Sequence, residues 1–155
     1  MTGLLSLATL KAASLAQLED IYRTATPAEW EPALWRGHFL HMIDSDIARN
    51  TAMRWISEVG FGHAPFWIDY ERRLWCFGTP DIGMGRFSAS LGPSRWRNTT
   101  TMRLEYRESR LPGLIRRELY DEVKPLSSGL CLGISGLNAE RGRGDIFFFA
   151  LTRDD

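Results

Sequence analysis

Apart from the run Leu34–Leu40, apolar positions recur at helical spacing up to Gly60, and from Phe66 onward they alternate or cluster in short runs. Leu4, Leu7, Leu10, Leu15, Leu18, Ile21 and Tyr22 fall on one side of a helix turning ~100° per residue, with only Lys11 and Ser14 intruding. Ser14 and Gln17 have capping-box spacing and can restart that helix, and Glu19 with Arg23 makes an i,i+4 pair. Thr26, Pro27 and Glu29 spell a further helix start, which Pro32 limits to about one turn. A third helix is predicted from Ser45 or Asp46 to Val59, with Ile47, Ala48, Thr51, Ala52, Trp55 and Ile56 on its apolar side and Gly60 as its stop.

The remaining runs read as strands: Leu34–Leu40, Phe66–Tyr70, Leu74–Phe77, Met84–Leu91, Thr99–Arg107, Leu114–Val123, Leu130–Ser135 and Asp145–Thr152. Turn residues separate them, among them Gly78 to Asp81, Gly92 to Ser94, Pro112 with Gly113, and Ser127 to Gly129. A sheet of that size in so short a chain closes on itself and so removes its edges. The last strand is apolar on both faces, so one face lines an interior and the other takes the stripe of the N-terminal helix. The predicted fold is mainly β: a meander of roughly eight antiparallel strands closing as a barrel, an N-terminal helix packed on it, and a helix between the first two strands. The chain reads as a single domain over residues 1–155, with a helical segment at 1–32 and the barrel at 33–153.

That order of helix, Trp-bearing first strand, meander and last strand ending in arginine resembles the lipocalin (calycin) pattern. There a tryptophan near the start closes the barrel floor against an arginine from the last strand; Trp35 and Arg153 occupy those places. The family reads Gly-x-Trp, whereas this chain has Ala33, Leu34 and Trp35, with Gly37 following. From Leu34 to Arg153 the chain is also similar to small bacterial lipocalin-like proteins, through Leu104–Arg107, Leu119–Asp121, Gly129–Gly133 and Phe147–Arg153. The resemblance implies a barrel that binds a small apolar molecule, and it carries no catalytic residue across.

Composition narrows the function classes. Basic and acidic residues number 19 each, so no excess charge calls for a nucleic-acid partner. The longest apolar run, Ile146 to Leu151, is far short of a membrane span of ~20 residues. No basic segment precedes the apolar start, so a cytoplasmic location is expected, with Cys76 and Cys131 as buried reduced thiols. Oligomeric state stays open, a homodimer included.

Near-motifs fail on their spacing. Gly83 and Gly85 lack the third glycine of a dinucleotide loop, because Ser88 stands there; Gly133 and Ser135 lack the final glycine of a nucleophile elbow, because Leu137 does. His38 and His41 point to opposite faces of a strand, and with His63 in a loop they predict no metal site; no cofactor is expected. The loop from Gly136 to Gly144 carries Arg141 and Arg143 and reads as a solvated turn.

Strand parity assembles a candidate pocket. Trp35, Gly37, Phe39 and His41 alternate onto one face of the first strand, and Met102, Leu104 and Tyr106 onto one face of another. Read as a strand, Leu114–Val123 places Ile115, Arg117, Leu119, Asp121 and Val123 together, with Arg116, Glu118, Tyr120 and Glu122 on a solvated face. Arg117 and Asp121 are then buried charges that either pair or hold a ligand's polar end. With Trp67 and Trp75 the candidate ligand site is Phe39, His41, Trp67, Trp75, Tyr106, Arg117 and Asp121, an apolar cavity with a few polar groups. The leading expectation is a binder of a small hydrophobic or aromatic molecule. The first alternative is a cofactor-independent cyclase or isomerase with His41 or Asp121 as general base. The second is a protein-interaction module with a filled barrel, presenting the aromatics from Phe61 to Trp67 or the Ile47–Val59 helix.

Overall fold

The computed structural model describes residues 5–43, 50–137 and 144–153, excluding the side chains of Met53 and Leu114. The expectations for Leu4, Ser45, Asp46, Ile47, Ala48, Arg141 and Arg143 lie outside the described residues.

Two short helices open the chain, α1 (Leu7–Ala12) and α2 (Leu15–Thr24). The predicted restart is real: Ser14 accepts from the Gln17 amide while the Gln17 side chain accepts from the Ser14 amide. No helix follows Thr26. That segment runs extended, with the Ala28 amide donating to the Pro125 carbonyl at 2.9 Å. A tertiary backbone bond here overrides the local Thr-Pro-Ala-Glu signal.

Among the described residues nine antiparallel strands form a nearly closed barrel: β1 (Leu34–Met42), β2 (Phe66–Asp69), β3 (Leu74–Phe77), β4 (Gly83–Arg86), β5 (Ser88–Pro93), β6 (Thr100–Glu105), β7 (Leu119–Ser127), β8 (Leu130–Leu137) and β9 (Asp145–Arg153). Consecutive strands pair except β4 with β5, and β1 pairs with β9 to bring the meander round. The ninth strand arises because the run predicted as Met84–Leu91 bends at Phe87. Its first half pairs with β3 and its second with β6, so one stretch turns a barrel corner. Trp35 and Arg153 are register partners across β1 and β9, and Arg153 donates to the Glu31 carboxylate at 3.0 Å.

The stretch between β1 and β2 holds α3 (Thr51–Trp55), continued by a π-helical turn at Ile56–Phe61. The helical stretch therefore runs past Gly60, the expected stop. A further helix, α4 (Gly113–Glu118), replaces the first half of the strand predicted at Leu114–Val123. Leu, Arg and Glu are among the better helix formers, and Pro112 takes the position before the first turn.

Strand parity divides the apolar residues into two layers. Inside the barrel lie Trp35, Phe66, Ile68, Tyr70, Phe87, Met102, Leu104, Tyr106, Val123, Cys131, Phe147, Phe149 and Leu151. Outside, Leu10, Leu18 and Tyr22 of the helices pack on Tyr120, Leu130, Leu132, Ile134, Phe148 and Ala150. The doubly apolar β9 is thus covered on both sides. The interior is tight at Gly37, where an added Cβ would stand 1.9 Å from the Phe66 ring, whereas at Gly129 it would meet nothing. Gly37→Ala is expected to cost about 1–3 kcal/mol by overpacking, and Gly129→Ala less than about 0.5 kcal/mol, read as shifts of urea midpoint.

Candidate ligand site inside the barrel

β7 sends Leu119, Asp121 and Val123 inward and Tyr120, Glu122 and Lys124 outward. Tyr120 and Glu122 were expected to face solvent; instead α2 covers this face, and Glu122 and Lys124 are fully buried. Glu122 accepts from the hydroxyls of Tyr22 (3.1 Å), Ser94 (2.5 Å) and Tyr120 (2.8 Å) and from the Arg95 amide (2.6 Å). Lys124 donates to the Ala25 carbonyl and to Thr99 and lies 5.2 Å from the Tyr22 ring centre. This network is satisfied and clamps α2 to the wall.

Asp121 is different. It is 7% exposed, and one oxygen, Oδ2, accepts from the Tyr106 hydroxyl at 2.5 Å. The other, Oδ1, is buried without a hydrogen bond. Ser135 stands opposite it across the β7–β8 ladder, where a hydrogen bond turned from its hydroxyl onto the carboxyl would favour the carboxylate. Burial raises the Asp121 pKa to about 6, against the opposing pull of the Ser135 and Tyr106 hydroxyls. Burial likewise pushes the Tyr70 and Tyr106 hydroxyls upward, so they stay protonated beside it.

The unpaired oxygen belongs to a side chain lining a cavity of about 30 Å³, bounded by Phe61, Phe66, Ile68, Trp75, Leu119, Asp121, Ser135, Phe147 and Phe149. Asp121 is the one charged side chain among those lining residues. As it stands the cavity admits a water-sized guest. Phe61 is what fills the rest, its ring centre 5.6 Å from that of Phe66, 6.0 Å from Trp75, 5.7 Å from Phe77 and 5.1 Å from Phe147. It reaches in from the end of the π-helical turn, flanked by Gly60 and Gly62, while Trp55, Ile56 and Val59 of the same stretch face outward and are exposed.

Of the residues singled out by sequence, the barrel brings together Phe39, Trp75, Tyr106 and Asp121 as members of its inner layer, Phe39 against Phe147 at 5.4 Å. Three fall elsewhere. A bulge between Phe39 and His41 shifts the β1–β9 register, so His41 is exposed and bonds the Met42 carbonyl. Trp67 alternates with the inward Phe66 and Ile68 and lies half-buried on the outer side. Arg117 sits exposed on α4 rather than on a strand. Conversely, Phe61, Ser135, Phe147 and Phe149 join the site unannounced by charge; a lone aromatic between two glycines was the available signal for Phe61.

Among the described residues no three His, Cys, Asp or Glu side chains converge to hold a metal ion, and no helix is long and apolar enough to cross a membrane. No protein-family model matches the sequence, and no curated protein does. The chain is similar in fold to a crystal structure of a protein from Thermomonospora curvata, with a TM-score of 0.55 at 15% identity, over 96% of this chain and 93% of that one.

Proposed function

We propose that the protein binds a small, flat, apolar or aromatic molecule inside its barrel, as a lipocalin-like carrier or sensor would. The observation that carries this reading is Asp121: a buried carboxyl with one unpaired oxygen, in a cavity otherwise walled mainly by apolar and aromatic side chains. A group of that kind destabilises a fold unless something pairs with it. The ligand ring takes the place of the Phe61 ring, and its polar atom meets Oδ1. A second reading is favoured by the Asp121 pKa of about 6, which would suit a general base or acid in a cofactor-independent isomerisation near neutral pH.

Indole is a suitable probe, being flat, neutral and equipped with one N–H. Titrated into the protein, it is expected to shift the NMR signals of Phe147, Phe149 and Trp75 together, and to bind about tenfold more tightly to Phe61→Ala, which has no ring to displace. Shifts confined to Trp55, Ile56 and Val59 would instead support an interaction surface, and no interior shift at all would overturn the binding reading.

A further inference from the structure

The β1–β2 ladder ends at Gly37 and Phe66, although β1 continues to Met42. Beyond that point the side of β1 facing away from β9 has no strand partner among the described residues, and residues 61–65 run alongside it. An open depression of about 240 Å³ lies there, lined by Lys11, Arg36, His38, Phe39, Phe61 and His63 together with small residues and Pro65. Among the described residues its lining contains cationic and imidazole groups and no acid. Phe61 lines this depression and the inner cavity both, so its ring is the partition between them.

The two compartments select opposite chemistry. At the inner end Asp121 offers an unpaired acceptor, and the neighbouring tyrosine already donates to its other oxygen. A ligand group that only accepts gains nothing there, and a carboxylate is repelled. At the outer end Lys11 and Arg36 favour an anion and raise its local concentration at the opening. Between them the Phe61 ring lies among the rings of Phe66, Trp75, Phe77 and Phe147.

We infer that the site takes an aromatic molecule with a hydrogen-bond donor at its inner end and an anionic group at its outer end, entering past Phe61 from the depression beside β1. This rests on the barrel-binding reading above and adds the ligand's polarity and direction. The simplest members of the class are aromatic hydroxy acids.

The test is a matched series titrated by calorimetry: 4-hydroxyphenylacetate, 4-methoxyphenylacetate, which lacks the donor, and 4-methylphenol, which lacks the anion. The hydroxy acid is expected to bind about tenfold or more tightly than either analogue, the worth of one hydrogen bond to a charged group. Asp121→Asn should abolish the preference for hydroxy over methoxy, and Arg36→Gln should weaken the two acids while sparing 4-methylphenol. Equal affinity across the series, tighter binding of the methoxy acid, or no binding by any member while indole still binds would overturn this inference and leave the barrel-binding reading standing. Failure of indole as well would overturn both.

Discussion

Glu122→Ala is expected to cost about 3–5 kcal/mol of folding stability, more than any other substitution considered for this barrel. The carboxylate is fully buried between β7 and α2 and takes four donors, from Tyr22, Ser94, Tyr120 and the Arg95 amide. Alanine leaves those donors in a space that α2 seals from water, each carrying a desolvation cost. It also leaves Lys124 as a buried cation without the nearby carboxylate that favours its charge. Because α2 is held at this point through the Tyr22 hydroxyl, hydrogen exchange in Leu15–Thr24 should accelerate before the strands respond. A urea midpoint unchanged within error would mean that α2 does not seal this face.

Asp121→Asn has the opposite sign. The folded-state pKa of Asp121 is raised to about 6 from an ordinary 3.8, so the folded protein holds the proton more tightly than the unfolded chain does. The carboxyl therefore costs nothing below the lower value, costs progressively more as pH rises through the upper one, and levels off above it. The full difference corresponds to about 3 kcal/mol, and at pH 4 it shrinks to about half a kcal/mol. Asparagine keeps an oxygen for the Tyr106 hydroxyl and carries no charge. The variant should thus be more stable than the parent by about 2–3 kcal/mol at pH 8 and nearly equal to it at pH 4, as read from urea unfolding at both pH values. A stabilised variant that also loses the preference for ligand donors is the pattern of a group kept for binding at the expense of the fold. A variant destabilised at pH 8 would mark Asp121 as structural.

The β-meander was legible because turn residues punctuate it regularly and because β9 is apolar on both faces, which requires two coverings. Its inner wall was legible wherever a strand kept strict alternation, as at Trp35, Tyr106, Asp121, Phe147 and Phe149. Alternation failed where one residue was inserted: the bulge after Phe39 turned His41 outward. It failed again where a helix precedes a strand, because the Ile115, Arg117, Leu119 series continues through α4 as smoothly as through β7. The burial of Glu122 and Lys124 left no mark in the sequence, since what covers them is α2, about 100 residues away along the chain. Phe61 was visible as an aromatic among glycines, but its inward reach depends on the π-helical turn that carries it.

The most direct test of the account is a carbon-13 NMR titration of the Asp121 carboxyl, first in the free protein and then with indole saturating. The expected midpoint is about 6 in the free protein, where burial dominates. It should fall when indole is bound, because an N–H donated to Oδ1 favours the carboxylate. A free-protein midpoint near the ordinary 3.8, or one that does not respond to indole, would contradict the assignment of Asp121 as the buried anchor of a ligand site.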